Sequence, residues 1–559
     1  MERLAILPVE NLTGNPDLDW MSRAARGALA VELAGSEHLQ PMEVGAVTDV
    51  SAAKATAALD GYFEIYNGEL RWKGVIRDIA TSRTVRTIDA AGPIKGGLLP
   101  LLNTAARQIS TSVRPYPTSN ETALREYFQA TGARDAHEAA SHLDAAIRAD
   151  PRFAAPYLLE IERLSATGDV AGAKAAVERA KAAATQFPPQ DRARLRLLEA
   201  LLNNDVPGRT SAMAELAKLQ PRDADLRKSL AEQYIAQKNY KGAVQVLEEA
   251  AKITPTDIAI WNLLGYAYGY GGDVNGAMRS FGQYKQLAPN DANAFDSIGE
   301  ILFHSGNFGE AEKNFLAAHE KNAAQFAGIE LYRAALCRLA LGDVARADEL
   351  FGKYAEFRKQ DQGLPIQSAV WKYESGRANE AINAMQQTIA GARSKDLAAL
   401  AHMELALWYV DAGERDKARA EAQAAMQSAT SAQARSLAIT ASYFSMPPAS
   451  PAEWRKRADQ LVSNPAQTRV KQELLGAALL FDHHFAEAIM EWRHLYDSSN
   501  PAGSLEPAVF LAWSYVQAGQ KDEAAKVVRA GIMPPRTPDP GLTSLAVAKY
   551  ITLRKQFGK

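Results

Sequence analysis

The sequence predicts two parts, an amino-terminal α/β domain followed by an all-α array of helix-turn-helix repeats. Short β-branched runs that are typical of strands occur only in about the first 114 of the 559 residues. Alanine-rich helical segments with a period of about 34 residues follow them. The segment Arg114–Asn120 lies between the two compositions, and its two prolines disfavour a continuous helix. We therefore assign residues 1–114 to the α/β domain, 115–119 to a linker and 120–540 to the repeats.

Composition narrows the class of protein. The chain is 47% hydrophobic and 23% charged, as is usual for soluble proteins. Its 63 basic and 65 acidic side chains leave a net charge of −2, which argues against nucleic-acid binding by this chain alone. No run approaches the ~20 apolar residues that a membrane helix needs. We expect a cytoplasmic protein as the chain is given, and an extracytoplasmic one if an amino-terminal membrane segment was removed.

The amino-terminal domain is predicted from alternating strand and helix signals. The first residues are interpreted as a strand and not as a signal peptide, because Pro8 and a turn end the apolar stretch early. Helices are predicted near residues 19–35 and 97–112, where Ala and Leu recur at helical spacing. The predicted strands are Arg3–Val9, Gly61–Tyr66, Leu70–Ile79 and Thr84–Asp89.

The repeat is clearest between Trp261 and Pro289. Small alanines let paired helices approach, large apolar residues fill the space between them, and Gly272-Asp273 makes the turn. The signature positions are Trp261, Leu264, Gly265, Tyr268, Gly272, Asp273, Ala277, Phe281, Tyr284 and Pro289. This pattern resembles the tetratricopeptide repeat (TPR).

Neighbouring copies keep the same register. Ala243, Ala277 and Ala311 are equally spaced, as are Pro221, Pro255 and Pro289. The register predicts 11–12 repeats, with degenerate copies near 190, 362 and 433. Their predicted starts are near residues 120, 154, 190, 224, 258, 292, 328, 362, 399, 433, 469 and 505. A last helix, Leu542–Lys555, is predicted to cap the solenoid within residues 541–559.

The first strand and turn suggest a second resemblance. The run Ile6–Asp17, with Pro8, Glu10-Asn11 and Gly14, is followed by a predicted helix near Asp19. It is similar to the TolB-like domain that precedes TPR arrays in many bacterial regulators. This resemblance implies no catalytic residues. It implies a place downstream of an effector such as a kinase, a cyclase or a winged-helix domain. The given chain carries no such domain, so it is interpreted as a stand-alone regulator or as a fragment.

The functional surface is predicted on the concave side, which the first helix of every repeat lines. Asn and Tyr side chains there can hydrogen-bond to the main chain of a peptide, and acidic residues favour a basic or amide-rich ligand. A solvated polar helix face is the alternative interpretation. The predicted partner-binding residues are Lys228, Glu232, Asn262, Tyr266, Asn293, Asp296, Glu300 and Tyr332.

Later first helices present an apolar line at the same places. This predicts that a hydrophobic helix docks there, or that the superhelix closes on itself or on another copy, as in a homo-oligomer. The positions concerned are Tyr332, Ile366, Val370, Met403, Leu407, Val509 and Trp513.

Four motifs contain residue types that take part in chemistry or ligand binding in other proteins. The glycine-rich run Tyr268–Asp273 lacks a preceding strand and is interpreted as a repeat turn, not a phosphate loop. Pro93–Gly97 opens a helix and is a better candidate for anion binding, although ordinary helix entry is favoured. His483-His484 is interpreted as a surface turn, and Cys337 as a buried structural thiol. We therefore expect no catalytic residue, metal or cofactor.

The leading functional prediction is a non-enzymatic scaffold or regulator that binds a protein or peptide segment in the concave groove. The alternative is a ligand-sensing region of a larger bacterial signalling protein, with a small molecule bound at the α/β domain. An effector domain encoded upstream would favour the alternative. A hidden hydrolase or transferase is the remote third interpretation, because no constellation of catalytic groups is visible.

Overall fold

The structure is a computed structural model that describes residues 2–36, 38–46, 48–52, 55–462, 464, 467–499 and 505–558. The outermost residues of the predicted domains, Met1 and Lys559, lie outside the described residues. The chain forms two compact units, Met1–Leu226 and Arg227–Lys559. The amino-terminal sheet and the first three helix pairs belong to the first unit.

The amino-terminal sheet is mixed, with the strand order β3-β1-β4-β5-β6 and β2 paired to β4. Strand β1 runs parallel to β3 and β4, whereas β4, β5 and β6 are antiparallel. The strands are β1 (Glu2–Ile6), β2 (Glu10–Asn11), β3 (Leu39–Glu43), β4 (Ala57–Tyr66), β5 (Glu69–Asp78) and β6 (Thr84–Pro93). The four predicted strands are confirmed. The sequence analysis missed β2 and β3. Strand β3 contains Pro41, which has no backbone N–H to donate. An edge strand tolerates a proline because it forms backbone hydrogen bonds with a neighbour on one side only.

Two long helices cover one face of the sheet. They are α1 (Asp19–Leu33) and α3 (Leu98–Ile109), and the short α2 (Asp49–Ala52) precedes β4. Trp72 and Phe63 of the sheet are buried against Leu29 of α1 and Leu102 of α3. Both predicted helices of this region are confirmed, and they bury the apolar side of the alternating strands.

Twelve helical hairpins follow in the described residues, which confirms the predicted all-α repeats. The pairs are α4 (Glu121–Gly132) with α5 (Ala136–Ala149), α6 (Ala154–Ala166) with α7 (Val170–Ala183), α8 (Pro189–Leu202) with α9 (Val206–Leu219), α10 (Ala224–Ala236) with α11 (Tyr240–Ile253), α12 (Ile258–Tyr270) with α13 (Val274–Leu287), α14 (Ala292–His304) with α15 (Phe308–Lys321), α16 (Ile329–Ala340) with α17 (Val344–Phe357), α18 (Leu364–Glu374) with α19 (Ala378–Ala390), α20 (Lys395–Asp411) with α21 (Arg415–Ser428), α22 (Ala432–Ser445) with α23 (Pro451–Leu461), α24 (Thr468–Phe481) with α25 (Phe485–Ser498), and α26 (Leu505–Gln517) with α27 (Lys521–Arg529).

The turn between the two helices of a hairpin has the same local structure in several repeats. Gly272 has a φ of +88°, a conformation that glycine adopts without steric cost. Asp273 then caps α13, because its carboxylate accepts a hydrogen bond from the backbone N–H of Gly276 at 2.8 Å. Asp169 and Asp343 cap α7 and α17 in the same way.

The last helix, α28 (Leu542–Phe557), is present where the sequence predicts it. It contacts both helices of the last hairpin, α26 and α27, and in addition it contacts α16 and α18 of earlier hairpins. Its Lys549 Nζ donates to Asp411 of α20 at 2.5 Å, and the ring of Tyr550 lies 6.0 Å from that of Phe303 on α14. The helix therefore crosses the inner side of four consecutive repeats.

The predicted apolar line is buried under this helix. Ile366, Val370, Met403, Leu407 and Val509 share a core with the apolar side chains of α28. Within the same unit, Lys238 Nζ after α10 donates to the backbone carbonyl of Tyr496 at 2.6 Å, so the fourth hairpin contacts the eleventh. Both predicted modes of covering the apolar line thus occur inside one chain. A helix docks on it, and the array closes on itself.

Of the helices that the structure describes, none combines the length and the apolar character that crossing a membrane requires.

Candidate functional site

The inner side of the fourth to seventh hairpins opens into one cavity of about 590 Å³. Helices α10, α12, α14 and α16 each contribute side chains to it. These side chains are Glu232, Ile235 and Ala236 of α10, Leu263, Tyr266 and Tyr270 of α12, Glu300 of α14 and Arg333 of α16. Three of the eight predicted partner-binding residues, Glu232, Tyr266 and Glu300, therefore lie together.

The opposite wall comes from the end of the chain. We call residues 531–558 the carboxy-terminal segment, which comprises a proline-rich stretch and α28. It contributes Met533, Pro534, Pro535, Arg536, Asp539 and Thr543, and α26 adds Leu505 and Glu506. Gly531 has a φ of +98°, and a Cβ there would lie 2.4 Å from the His304 ring, so glycine allows the segment to approach α14. The cavity is thus lined by two parts of the chain that are distant in the sequence, residues 232–333 and residues 505–543.

A buried arginine organises the cavity floor. Arg333 is 3% exposed, and its Nη1 lies 2.9 Å from both carboxylate oxygens of Asp296. Its Nη2 lies 2.7 Å from Glu300 Oε1. The Tyr266 hydroxyl donates to the other oxygen of Glu300 at 2.5 Å and lies 3.1 Å from Ser297 Oγ. Asp296 and Glu300 are therefore held in place by charge-assisted hydrogen bonds.

Burial sets the titration of this cluster. It raises the pKa of Asp296 to about 6, although the Arg333 guanidinium opposes the rise, and the charge of Glu300 adds to it. Burial by itself would lower the pKa of Arg333, but Glu300 and Asp296 outweigh it and the pKa is raised. Burial also raises the pKa of Tyr266, with a further contribution from Glu300. Arg333 therefore stays charged and neutralises part of the buried carboxylate charge.

Two tyrosines form an aromatic wall beside this cluster. The rings of Tyr266 and Tyr270 are stacked, with centroids 5.6 Å apart and planes inclined by 29°. Tyr270 also meets the ring of His304 edge to face at 5.5 Å. Burial lowers the pKa of His304 to about 4, so this imidazole is neutral at pH 7.

The other five predicted residues lie outside the cavity lining. Lys228 is half-buried and lies 3.7 Å from the Asp257 carboxylate. The Asn262 amide oxygen is buried and has no hydrogen-bond partner among the described residues. Asn293 donates to the Tyr284 hydroxyl at 3.2 Å. Asp296 is buried beneath the cavity on Arg333, and fully buried Tyr332 donates to Glu374 at 2.9 Å.

Sequence reasoning missed Arg333 because of a one-residue slip. The predicted repeat starts at 328, which puts Tyr332 at the fifth place of the first helix. Helix α16 starts at Ile329, so Arg333 takes the fifth place, as Asp296 does in α14. The signal that could have found it is an arginine one place after the expected inward position. Tyr270 and the proline-rich stretch are not at the repeat positions that the period predicts to face inward, so the sequence did not indicate that they line the cavity.

The candidate anion site at Pro93–Gly97 is occupied by a carboxylate of the same chain. The short 3-10 helix Ile94–Gly96 leads into α3, where the Leu99 N–H donates to the Glu121 carboxylate at 3.0 Å. Gly97 has a φ of +85°, and a Cβ there would lie 2.4 Å from that carboxylate. A side chain of the chain therefore occupies the helix N-terminus.

The remaining motifs adopt structural roles. Tyr268, Gly269 and Tyr270 are the last residues of α12, and Gly271–Asp273 form the hairpin turn. His483 has a φ of +61° at the turn before α25, the place that glycine takes in other repeats. Cys337 is fully buried, and burial raises the pKa of its thiol. Among the described residues, no group of three His, Cys, Asp or Glu side chains converges as a metal site.

Comparison with known proteins gives a local match. Residues 231–269 match the TPR repeat family. No curated protein sequence matches the chain. The matched residues run from Ala231 in α10 to Gly269 in α12, so they include Glu232 and Tyr266 of the cavity. The resemblance of residues 6–17 to TolB-like domains stays a prediction.

Solved structures also align with parts of the chain. MamA from Desulfovibrio magneticus RS-1 is 15% identical with a TM-score of 0.27, covering 31% of this chain and 97% of that chain. PilF of Pseudomonas aeruginosa is 16% identical with a TM-score of 0.27, covering 38% of this chain and 96% of that chain. A tetratricopeptide repeat protein from Parabacteroides merdae is 13% identical with a TM-score of 0.30, covering 45% of this chain and 99% of that chain.

Proposed function

We propose that this protein is a non-enzymatic interaction scaffold, and that the cavity between α10, α12, α14, α16 and the carboxy-terminal segment binds a segment of a partner protein. The observation that carries the proposal is the convergence of Glu232, Tyr266 and Glu300 from three consecutive repeats on one cavity. First helices of such repeats form extended binding surfaces. The residues that match the TPR repeat family include the second half of α10 and nearly all of α12.

Binding is favoured over chemistry by the state of the buried groups. Both buried carboxylates beside the cavity, Asp296 and Glu300, are engaged by Arg333. A general base needs a free lone pair within reach of a substrate proton. The side chains that remain accessible, such as Glu232 and Tyr270, are typical of polar peptide contacts. The expectations about nucleic acid, self-association and compartment stay predictions from the sequence.

The site is tested by photo-crosslinking from inside the cavity. The protein would carry p-benzoylphenylalanine in place of Glu232, which is exposed and lines the cavity. A matched control would carry it in place of Glu320, an exposed glutamate of α15 that does not line the cavity. Irradiation in the cells that naturally produce the protein, followed by mass spectrometry, identifies the captured protein and the crosslinked peptide.

We expect a discrete crosslinked partner from position 232 and none of that species from position 320. The crosslink should map to one segment of the partner. Equal capture from both positions, or no adduct from position 232, would contradict the assignment of the cavity as the binding site.

A further inference from the structure

The accessible charge of the cavity is predominantly negative. Glu232 and Asp539 are exposed and Glu506 is half-exposed, whereas Arg536 is the one exposed cation of the described lining. Glu232 makes no hydrogen bond or ion pair with any residue that the structure describes. The buried pair Arg333 and Glu300 is mutually satisfied at 2.7 Å. Glu506 and Asp539 each accept a hydrogen bond at 2.6 Å, from the hydroxyls of Thr543 and Thr537, but neither forms an ion pair with a described residue. A ligand therefore meets more carboxylate than guanidinium that lacks an ion-pair partner.

The aromatic wall of Tyr266 and Tyr270 also favours a positively charged ligand. Tyr266 and Tyr270 both line the cavity, and the face of a tyrosine ring attracts a cation within about 6 Å of its centroid. The Tyr270 hydroxyl has no hydrogen-bond partner among the described residues, so it remains available to a ligand. The Tyr266 hydroxyl, in contrast, donates a hydrogen bond to Glu300.

The opposite wall is apolar and extended. Met533, Pro534 and Pro535 line the cavity, and prolines have no backbone N–H to leave unsatisfied. An aliphatic side-chain stem packs favourably on such a surface while its charged end stays hydrated or paired. The volume of about 590 Å³ lies within the range of about 300–1,000 Å³ that is usual for ligand pockets. The cavity thus has room for a long side chain and its flanking backbone.

We propose that the partner segment places a cationic side chain in this cavity, arginine in preference to lysine, with its charge toward Glu232 and Glu506 and its stem between Tyr270 and the proline wall. This inference rests on the proposed function. Arginine is preferred because its planar guanidinium both stacks on a tyrosine ring and forms two parallel hydrogen bonds to a carboxylate. The carboxylates of Glu232, Glu506 and Asp539 repel an acidic segment in the same place, which adds specificity.

The test starts from peptides selected on the full chain. A phage-displayed random-peptide library is selected on the immobilised protein, and retained sequences are synthesised with a fluorescein label. Binding is measured by fluorescence anisotropy. We expect the retained peptides to share an arginine, and its replacement by citrulline, which is neutral and nearly isosteric, to weaken binding about tenfold.

Chain variants then locate the contact. Glu232→Gln removes an exposed charge and leaves the fold intact, because Glu232 supports no other described residue. It should weaken binding of the arginine peptide about tenfold and change binding of the citrulline peptide little. Glu320→Gln, on the outer helix α15, should leave both affinities unchanged. The non-additivity of peptide and protein changes identifies the pair that is in contact.

The outcomes separate this inference from the proposed function. Peptides that crosslink from position 232 but contain no basic residue would overturn the cationic inference and leave the scaffold site in place. Arginine peptides whose affinity is the same for Glu232→Gln and the parent chain would also overturn it. Failure to retain any peptide, together with no crosslink from position 232, would overturn the proposed function itself. Peptides that prefer lysine to arginine would contradict the stated order of preference.

Discussion

At the residue scale, glycines decide how closely the helices of one hairpin can pack. Gly265 of α12 faces the ring of Phe281 on α13, and a Cβ at this position would lie 2.4 Å from the ring. Phe281 is fully buried, so its ring has little room to move aside. Gly282 of α13 differs, because a Cβ there would meet no heavy atom within 4 Å.

We expect opposite effects of alanine at these two glycines. Gly265→Ala should lower the free energy of unfolding by about 1–3 kcal/mol, because overpacking displaces the Phe281 ring. Gly282→Ala should raise it by about 0.5–1 kcal/mol, because alanine favours a helix interior. Urea unfolding of both variants followed by circular dichroism measures the difference. Equal stability of the two variants would show that the ring yields without cost.

Arg333 changes the role of two carboxylates at the predicted inward positions, because it pairs with both of them. A charged side chain at 3% exposure is costly to bury unless its partners surround it, and two carboxylates do so. Both partners come from α14, one repeat earlier. Periodicity singled out both carboxylates, but the arginine that pairs with them could be found only after the start of α16 was known.

At the element scale, α28 is tied to the inner face by a buried carboxylate. Glu404 of α20 is fully buried, and it accepts hydrogen bonds from the Gly541 N–H at 2.5 Å and from the Ser544 hydroxyl. Burial raises the pKa of Glu404 to about 7, although these two donors oppose the rise. The element that follows Gly541 therefore depends on a group that titrates near neutral pH.

This arrangement predicts a pH dependence of stability. A carboxyl with a raised pKa in the folded state favours folding below its unfolded pKa of about 4.5, and this contribution is lost as pH rises toward 7. We expect the free energy of unfolding to fall by about 2–4 kcal/mol more in the parent chain than in Glu404→Gln between about pH 5 and about pH 8. Buried Asp296 and Glu374 also have raised pKa values, so the difference between parent and variant is the informative quantity.

Urea titrations at several pH values provide this measurement. The variant Glu320→Gln, at an exposed site, serves as the control and should follow the parent curve. Parallel curves for Glu404→Gln and the parent would contradict the assignment of this titration to Glu404.

At the scale of the second unit, the carboxy-terminal segment acts as an internal support of the array. The rings of Tyr550 and Phe303 are 6.0 Å apart, and Arg554 lies 4.9 Å from the Phe308 ring centroid. Helices of a solenoid usually contact only their neighbours. Here α28 connects repeats that are not adjacent in sequence, which couples their stabilities.

Replacing a single side chain of α28 tests this coupling. Tyr550 is 4% exposed, and Tyr550→Ala should cost about 3–5 kcal/mol. Hydrogen exchange should then accelerate in α14, α16 and α18 as well as in α26. The matched variant Thr552→Ala, at an exposed place on the same helix, should change exchange little. Faster exchange confined to α26 and α27 would instead indicate that α28 is only a terminal cap.

The sequence by itself determined the elements and their order. The 34-residue spacing of small, large and turn residues predicts helical hairpins because the helix period and the Gly-Asp cap act within a few residues. The same local information predicted four strands, two amino-terminal helices and the inward places of Glu232, Tyr266 and Glu300. The local information did not predict the edge strand β3, because Pro41 disfavours a strand anywhere but at the edge of a sheet.

Only the tertiary structure decided what faces the inner side of the repeats. The lining of the cavity combines Glu232 and Arg333 with residues 533–543, and no short-range pattern connects such distant segments. The apolar line that predicted a docked helix could not distinguish α28 from another chain, because burial of apolar area is not directional. The periodic pattern therefore specifies the repeats, and long-range packing specifies the site.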